Sequence, residues 1–163
     1  MGNMLVKLQT EQVKSFLKET VSTLSVYLNE TTIHSLLDEA EVGDKKYFED
    51  LLANIRRLVV FCDEGLDATN VVLNSEPFRK SVAEKVLYKV YHQCIEEFFS
   101  PKSDLWFEDS RSAYTGKNSL NFRKTPPPSI KKLLTSLERN FQSVREELEY
   151  YETDYRTKMI QSK

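Results

Sequence analysis

Apolar residues recur at spacings of three and four along most of the chain, a pattern that predicts amphipathic helices. The first such stripe predicts a helix of about five turns that Thr10 caps and that ends near Asn29. A short helix is expected next, started by Thr31 or Thr32 and broken by Gly43. The buried positions expected on the first helix are Val13, Phe16, Leu17, Thr20, Val21, Leu24, Tyr27 and Leu28.

The next stripe predicts a longer helix, running from Phe48 to Leu73 and capped by Asp44. Gly65 lies inside this run, where a glycine costs about 1 kcal/mol relative to alanine. We interpret it as a close-packing position or a mild bend, and a division into two helices stays open.

A third stripe predicts a helix from Ser75 to Phe99 that is apolar over most of its girth, as the central helix of a domain usually is. Ser75 is expected to cap it, with Pro77 tolerated in the first turn. The apolar positions of this helix are Ala83, Leu87, Val90, Tyr91, Cys94, Ile95, Phe98 and Phe99.

The hydrophobic period changes before the last helix. Residues 104–108 are expected to add one helical turn, and residues 110–123 to form a short β-hairpin or an ordered loop, since their Gly and Asn residues suit a tight turn. Three prolines at 126–128 then form an extended spacer. Ser129 is expected to cap a last helix of about 30 residues.

These elements predict an all-α protein with one helical-bundle domain over residues 1–163. The expected bundle has four main helices, a short helix, and a hairpin-like insert with its Pro-rich spacer at residues 110–128. The 40% of hydrophobic residues and 29% of charged residues are typical of a soluble helical protein.

Charge and cysteine usage indicate a cytoplasmic setting. The formal net charge is −2, which argues against a nucleic-acid binder. The longest apolar run, 58–62, is too short for a membrane span, and no signal-peptide pattern opens the chain. Cys62 and Cys94 are interpreted as reduced core thiols, although their spacing also permits a disulfide. A protein partner or a homo-oligomer is possible.

Neither a cofactor nor a metal is expected. Gly-rich phosphate loops, Cys-x-x-Cys pairs and Gly-x-Ser-x-Gly elbows are absent from the sequence. His92 and Glu96 share a helix face, as metal ligands in bundles do, but the chain has two histidines and lacks the Glu-x-x-His pairs of such sites. We interpret His92 as a hydrogen-bonded structural residue. Whether the protein is an enzyme stays open.

A ligand site could form where the insert meets the bundle. Residues 101–132 carry seven positive and three negative side chains, together with hydroxyl groups and aromatic rings, a mixture that can hold an anion. Alternatively, Arg111 pairs with Asp109 or a helix carboxylate, and the rings cover the end of the bundle. The candidate ligand-binding residues are Arg111, Tyr114, Lys117, His92 and Glu96.

Acidic residues and tyrosines alternate at helical spacing from Glu146 to Arg156. This pattern is typical of a solvated helix face, but tyrosine and arginine are also frequent at interfaces. The candidate partner-binding residues are Tyr151, Tyr155 and Arg156.

We therefore expect a non-enzymatic cytosolic helical module for protein interaction or regulation. The alternative is a bundle that binds a small ligand or anion, or acts as an enzyme, at a site formed by the 105–118 loop and the His92/Glu96 helix face. A third hypothesis is weak nucleic-acid binding through the basic segment.

Four stretches of the sequence carry a resemblance to a known family, namely Ser75–Lys80, Leu87–Phe99, Glu108–Asn118 and Leu148–Lys158. They resemble the YpuI-like family of Bacillus and related bacteria. The resemblance implies a bacterial cytosolic setting, but it implies no activity and transfers no catalytic residue.

Overall fold

Helices dominate the structure, a computed structural model that describes residues 2–41, 43–109 and 119–161, with residues 152–161 described by their backbone only. The helices are α1 (Asn3–Glu30), α2 (Ile33–Glu39), α3 (Lys45–Leu73), α4 (Lys80–Val90), α5 (Glu96–Phe99) and α6 (Pro128–Gln161). A π-helical turn, Tyr91–Ile95, joins α4 to α5 without a break. Two antiparallel strands, β1 (Trp106–Glu108) and β2 (Leu120–Phe122), precede α6. The protein is all-α with a small hairpin, as predicted.

Helices α1 and α6 run antiparallel. The hydroxyl of Tyr27, near the C-terminal end of α1, shares a hydrogen bond of 2.8 Å with Ser129 at the start of α6. At the opposite end of both helices, the hydroxyl of Tyr151 donates a hydrogen bond to the side-chain oxygen of Gln9. The C-terminal part of α6 therefore lies beside the N-terminal part of α1.

Helix α4 packs against α1, α3 and α6. Gly65 of α3 allows part of this close approach, because a Cβ atom at that position would lie 3.2 Å from Leu17 Cδ1 of α1 and 3.3 Å from Val90 Cγ2 of α4. Helix α3 continues through Gly65 without interruption. The interpretation of Gly65 as a close-packing position is therefore confirmed, and a division into two helices is wrong.

Two of the predicted helix caps are confirmed. The hydroxyl of Thr32 accepts a hydrogen bond of 3.0 Å from the backbone N–H of Ser35, and α2 follows it directly. The carboxylate of Asp44 accepts one of 3.0 Å from the backbone N–H of Tyr47 in α3. In both cases a side-chain oxygen satisfies an N–H that has no partner within the helix.

The prediction that Thr10 caps the first helix is wrong. Helix α1 begins at Asn3, and Thr10 is buried within it. Its hydroxyl donates a hydrogen bond of 2.7 Å to the carbonyl oxygen of Val6, four residues back. Threonine can bond in this way inside a helix, and its sequence position alone does not separate this role from that of a cap.

The predicted cap at Ser75 is also wrong, because its hydroxyl serves the preceding helix. Ser75 donates a hydrogen bond of 2.7 Å to the carbonyl oxygen of Val71 in α3. Helix α4 begins only at Lys80, so Pro77 lies in the connection between helices rather than in a first turn. The predicted end of this helical run at Phe99 is confirmed.

Ser129 is not a cap either, since α6 begins at Pro128. The backbone N–H of Ser129 instead donates a hydrogen bond of 2.8 Å to the carboxylate of Glu39, at the end of α2. A carboxylate from a distant part of the chain thus takes the role that a local hydroxyl was expected to play.

The helical turn predicted at residues 104–108 is wrong, and β1 occupies most of this segment. Asp104 has a φ of 57°, which a right-handed helix cannot include. Trp106 is buried, its indole N–H donates a hydrogen bond of 2.7 Å to the carbonyl oxygen of Phe98, and it pairs with Phe122 of β2. The hairpin-like insert therefore begins before residue 110.

Candidate functional site

The π-helical turn carries His92, the first of the predicted site residues. Its Nδ1 lies 3.1 Å from a carboxylate oxygen of Glu96. The rings of Tyr88 and Tyr91 meet the imidazole edge-on, with centroids 4.4 Å and 5.8 Å away. A π-helical turn within an α-helix is frequently found at a functional site. His92 is thus held by one carboxylate and two aromatic rings.

Glu96 lines an open cleft of about 240 Å³ between the π-helical turn, α5, β1 and α6. Glu108 of β1 lies in the same cleft. The structure thus brings the beginning of the predicted 105–118 loop against the face that carries His92 and Glu96. The residues that line the cleft are Tyr91, Glu96, Phe99, Ser100, Glu108 and Arg145.

Arg145 of α6 is a cleft residue that the sequence analysis missed. Its guanidinium donates two hydrogen bonds to the carboxylate of Glu108, at 2.8 Å and 2.6 Å, and stacks 3.8 Å over the ring of Phe99. The side chains of Arg145 and Glu108 are each 17% exposed. The signal available in the sequence was that Arg145 directly follows Val144, a residue of the apolar stripe of α6.

The described part of the cleft does not by itself suit an anion. It contributes the carboxylates of Glu96 and Glu108, and the guanidinium of Arg145 is already neutralised by Glu108. Within the described ranges, no group of three or more His, Cys, Asp or Glu residues could hold a metal ion. The predicted anion-binding residues Arg111, Tyr114 and Lys117 lie outside the described residues, so their role stays a prediction.

Tyr151, a predicted partner-binding residue, is 1% exposed and is hydrogen-bonded to Gln9 of α1. The pKa of its hydroxyl is raised to about 12, chiefly by burial and in smaller part by coulombic interactions with Glu84, Tyr150 and Glu147. Tyr151 therefore fastens α6 to α1 and does not lie on the exposed face of the helix. Its neighbour Tyr150 is exposed.

The other two predicted partner-binding residues are Tyr155 and Arg156. Both lie in the C-terminal part of α6, in the stretch whose side chains are outside the described structure. Their role stays a prediction.

Large apolar side chains are exposed where α1 begins. Met4, Leu5 and Leu8 are 85%, 46% and 50% exposed, and they occupy positions three and four apart, which share one side of a helix. Val6, between them in sequence, is buried in the core. The first turns of α1 are thus apolar on the outer side as well as on the core side, a feature that the sequence analysis missed.

These residues lie next to the C-terminal part of α6. Gln9 marks the side of α1 that faces α6, and Leu5 precedes it by one helical turn. Because the two helices are antiparallel, Leu5 lies beside the part of α6 that follows Tyr151, where the side chains are outside the described structure. We call the exposed apolar area the α1 outer surface, and define it by Met4, Leu5 and Leu8.

The two cysteines are buried and present as free thiols, in line with the prediction of core thiols. A hydrogen bond between Cys62 and Cys94, together with burial, raises the pKa of the Cys94 thiol well above its ordinary value. A protonated buried thiol is a poor nucleophile, so Cys94 does not suggest a catalytic site.

Fold and surface together define an all-α bundle with a small hairpin-like insert and an exposed apolar area at one end. The chain belongs to the family described as "Protein of unknown function (DUF3907)", whose model matches residues 10–157. It is 46% identical over 152 residues to "Uncharacterized protein YpuI" of Bacillus subtilis (strain 168), a match that spans 93% of this chain and 84% of the relative. The family resemblance is thus confirmed. No solved structure matches the chain.

In the part of the chain that the structure describes, no helix combines the length and the apolar character needed to cross a lipid bilayer.

Proposed function

We propose that this protein is a non-enzymatic helical module that binds a protein partner through the α1 outer surface. The observation that supports the proposal is the joint exposure of Met4, Leu5 and Leu8 on one side of α1. Single exposed apolar residues are common on folded proteins, whereas a group of them on one surface is typical of an interaction site. The free thiols Cys62 and Cys94 support a cytoplasmic setting for this role.

The cleft beside His92 offers less support for the alternative, a ligand-binding bundle. The cation within its described part, Arg145, is paired with Glu108 and stacked on Phe99. A ligand would have to displace an interaction that already satisfies both charges. The outer surface of α1 requires no such rearrangement, since its leucines already face solvent.

The test is a double variant, Leu5→Asp with Leu8→Asp, in a tagged protein expressed in its own host. Cross-linking in cells, followed by purification and quantitative mass spectrometry, measures the partner that the wild-type protein retains. We expect the double variant to retain about tenfold less of this partner than the wild type does, because a charge in the centre of an apolar contact costs more than 1.4 kcal/mol.

The matched control is Val26→Asp with Val60→Asp, two valines that are both 52% exposed on α1 and α3 outside this surface. The control is expected to retain the partner, and both double variants are expected to keep the wild-type helical circular dichroism. The proposal is wrong if the wild-type protein retains no specific partner, or if both double variants retain it equally.

A further inference from the structure

An open polar cavity lies between α3 and the segment that joins α5 to β1. Its volume is about 210 Å³, which suits a molecule smaller than the drug-sized ligands of typical binding sites. Asp50, Asn54 and Arg57 reach it from one side of α3, since residues three and four apart on a helix are neighbours. Of the described residues, none lines both this cavity and the cleft beside His92. The other residues that line it are Ala53, Ser103 and Leu105.

Hydrogen bonds hold the wall of the cavity that lies opposite α3. The backbone N–H of Asp104 donates a hydrogen bond of 2.9 Å to the carbonyl oxygen of Pro101, in a turn that includes Ser103. The carbonyl oxygen of Leu105 accepts hydrogen bonds from the hydroxyl of Tyr47, at 2.7 Å, and from the backbone N–H of Arg123, at 3.0 Å. The cavity is therefore formed before any ligand binds, as most small-molecule sites are.

Asn54 carries a buried hydrogen-bond donor that is not used. The residue is 4% exposed, and its Oδ1 accepts a hydrogen bond of 2.9 Å from the hydroxyl of Ser103. Its Nδ2 is buried and has no hydrogen-bond partner in the part of the chain that the structure describes. Such a group is uncommon in a native protein and is usually explained by a bound molecule or an ordered water. Asn54 is thus a donor in need of an acceptor.

The charged side chains that line the cavity, or pair with its lining residues, balance one another. Nε of Arg57 lies 3.9 Å from Oε1 of Glu97, close enough for attraction but too far for a hydrogen bond. Within the described ranges, Oε1 of the buried Glu97 has no hydrogen-bond partner. Asp50, two helical turns before Arg57, pairs with Lys46 at 3.0 Å and keeps part of its carboxylate exposed. Two cations and two carboxylates favour a ligand whose own charges also cancel.

We propose that this cavity binds a free amino acid. Its carboxylate accepts hydrogen bonds from Nδ2 of Asn54 and from the guanidinium of Arg57, and its ammonium faces the carboxylate of Asp50. Asp50 and Asn54 are one helical turn apart, roughly 6 Å along the axis, a separation that one amino acid can bridge. A simple anion suits the cavity less well, because it adds uncompensated negative charge beside Asp50 and Glu97. The inference goes beyond the proposed function and does not rest on it.

The first test is thermal unfolding of the full-length protein with each of the proteinogenic L-amino acids in turn. At about ten times its Kd, the amino acid that binds is expected to raise the unfolding temperature by roughly 3–6 °C, because it binds the folded state alone. Isothermal titration calorimetry then gives its Kd. The matched probes are the corresponding carboxylic acid, which lacks the ammonium, and the corresponding amine, which lacks the carboxylate. Each is expected to bind at least about tenfold more weakly.

Variants on the surface of α3 then locate the site. Arg57→Gln is expected to weaken amino-acid binding at least about tenfold, whereas Arg56→Gln, at the neighbouring exposed arginine, makes the same change in net charge and is expected to bind as the wild type does. Asp50→Asn is also expected to weaken binding, with Glu49→Gln as its control. Asn54→Leu removes the unused donor and is expected to abolish binding. Circular dichroism checks that each variant is folded.

Three outcomes would overturn the inference. The first is that no amino acid stabilises or binds the protein, which would leave an ordered water as the partner of Asn54. The second is that the carboxylic acid or the amine binds as tightly as the amino acid. The third is that Arg57→Gln and Arg56→Gln weaken binding equally. These outcomes are distinct from failure of the proposed function, which is measured by partner capture with variants of the α1 outer surface.

Discussion

Gly65 shows how a residue without a side chain allows three helices to approach one another. It lies in the middle of α3, at a point where Leu17 of α1 and Val90 of α4 both come close. Leu17 is fully buried and Val90 is nearly so, which means that neither side chain can swing into solvent to make room. Helix propensity therefore favours alanine at position 65, whereas the packing around it favours glycine.

We predict that Gly65→Ala lowers the free energy of unfolding by about 1 kcal/mol. Alanine gains about 1 kcal/mol in helix propensity, but overpacking against two buried side chains costs about 2 kcal/mol. Urea denaturation followed by circular dichroism measures the difference. As a control for propensity alone, Ser22→Ala on the exposed side of α1 should raise stability slightly. An increase in stability for Gly65→Ala would show that Leu17 and Val90 can move apart.

At the scale of elements, side chains from α6 fasten the hairpin-like insert to the bundle. Arg145 holds β1 through Glu108, and the buried carboxylate of Glu138 accepts hydrogen bonds from the N–H and the hydroxyl of Ser119, at 2.9 Å and 2.6 Å, just before β2. An isolated two-stranded hairpin is marginally stable in water. The strands therefore depend on these contacts as well as on their own pairing.

We predict that Arg145→Lys destabilises the protein by about 1.5 kcal/mol, because a lysine cannot reproduce the bidentate pair of hydrogen bonds to Glu108 or the stacking on Phe99. Arg123→Lys is the matched control. Arg123 bonds Asp104 at 3.0 Å and stacks 4.2 Å over Phe107, but its side chain is exposed, so its loss should cost only about 0.3 kcal/mol. Thermal unfolding of both variants tests the prediction, which fails if their losses are equal.

The sequence pattern predicted the helices well because a buried stripe at spacings of three and four is a local property of the chain. It failed at 104–108, where the strand depends on non-local contacts, namely the bond from Trp106 to Phe98 and the pairing with β2. The starts of the helices were likewise predicted correctly where the capping contact is local, and wrongly where it comes from a distant part of the chain. Thr32 and Asp44 cap helices through residues three positions ahead, whereas α6 receives its carboxylate from Glu39.

The candidate site was less predictable than the fold. Spacing correctly put His92 and Glu96 on one side of a helix, since that relation is local. The position of Arg145 beside Glu108 depends on how α6 packs against β1, which no local pattern encodes. Tyr151 belongs to the apolar stripe of α6 and also to its Tyr-rich acidic stretch, and the side that faces α1 is decided by the packing of the whole bundle.

At the scale of the whole molecule, three tyrosine hydroxyls connect distant elements. Tyr27 joins α1 to α6, Tyr47 joins α3 to the carbonyl oxygen of Leu105 at 2.7 Å, and Tyr151 joins α6 to α1. Burial, the largest cause in each case, raises the pKa of all three hydroxyl groups. Ionisation of these groups in the folded protein would break connections between elements that are far apart in the chain.

The raised pKa values determine how stability depends on alkaline pH. The pKa of Tyr151 is about 12 in the folded protein, against about 10 for a tyrosine in an unfolded chain. Below pH 10 or so both states hold the proton, and the contribution to stability is fully present. As pH rises from about 10 to about 12, the unfolded state loses its proton first, so the free energy of unfolding falls.

We therefore predict that Tyr151→Phe has two opposite effects. Near neutral pH it lowers the free energy of unfolding by about 1 kcal/mol, because the hydrogen bond to Gln9 is lost. Between about pH 10 and 12 its stability falls less steeply than that of the wild type, because one tyrosine with a raised pKa is absent. Urea denaturation at several pH values, with Tyr150→Phe as the exposed control, measures both effects. Equal alkaline slopes for the wild type and Tyr151→Phe would mean that Tyr151 ionises as readily in the folded protein as in the unfolded chain, and that α6 is not held to α1 in the way the structure shows.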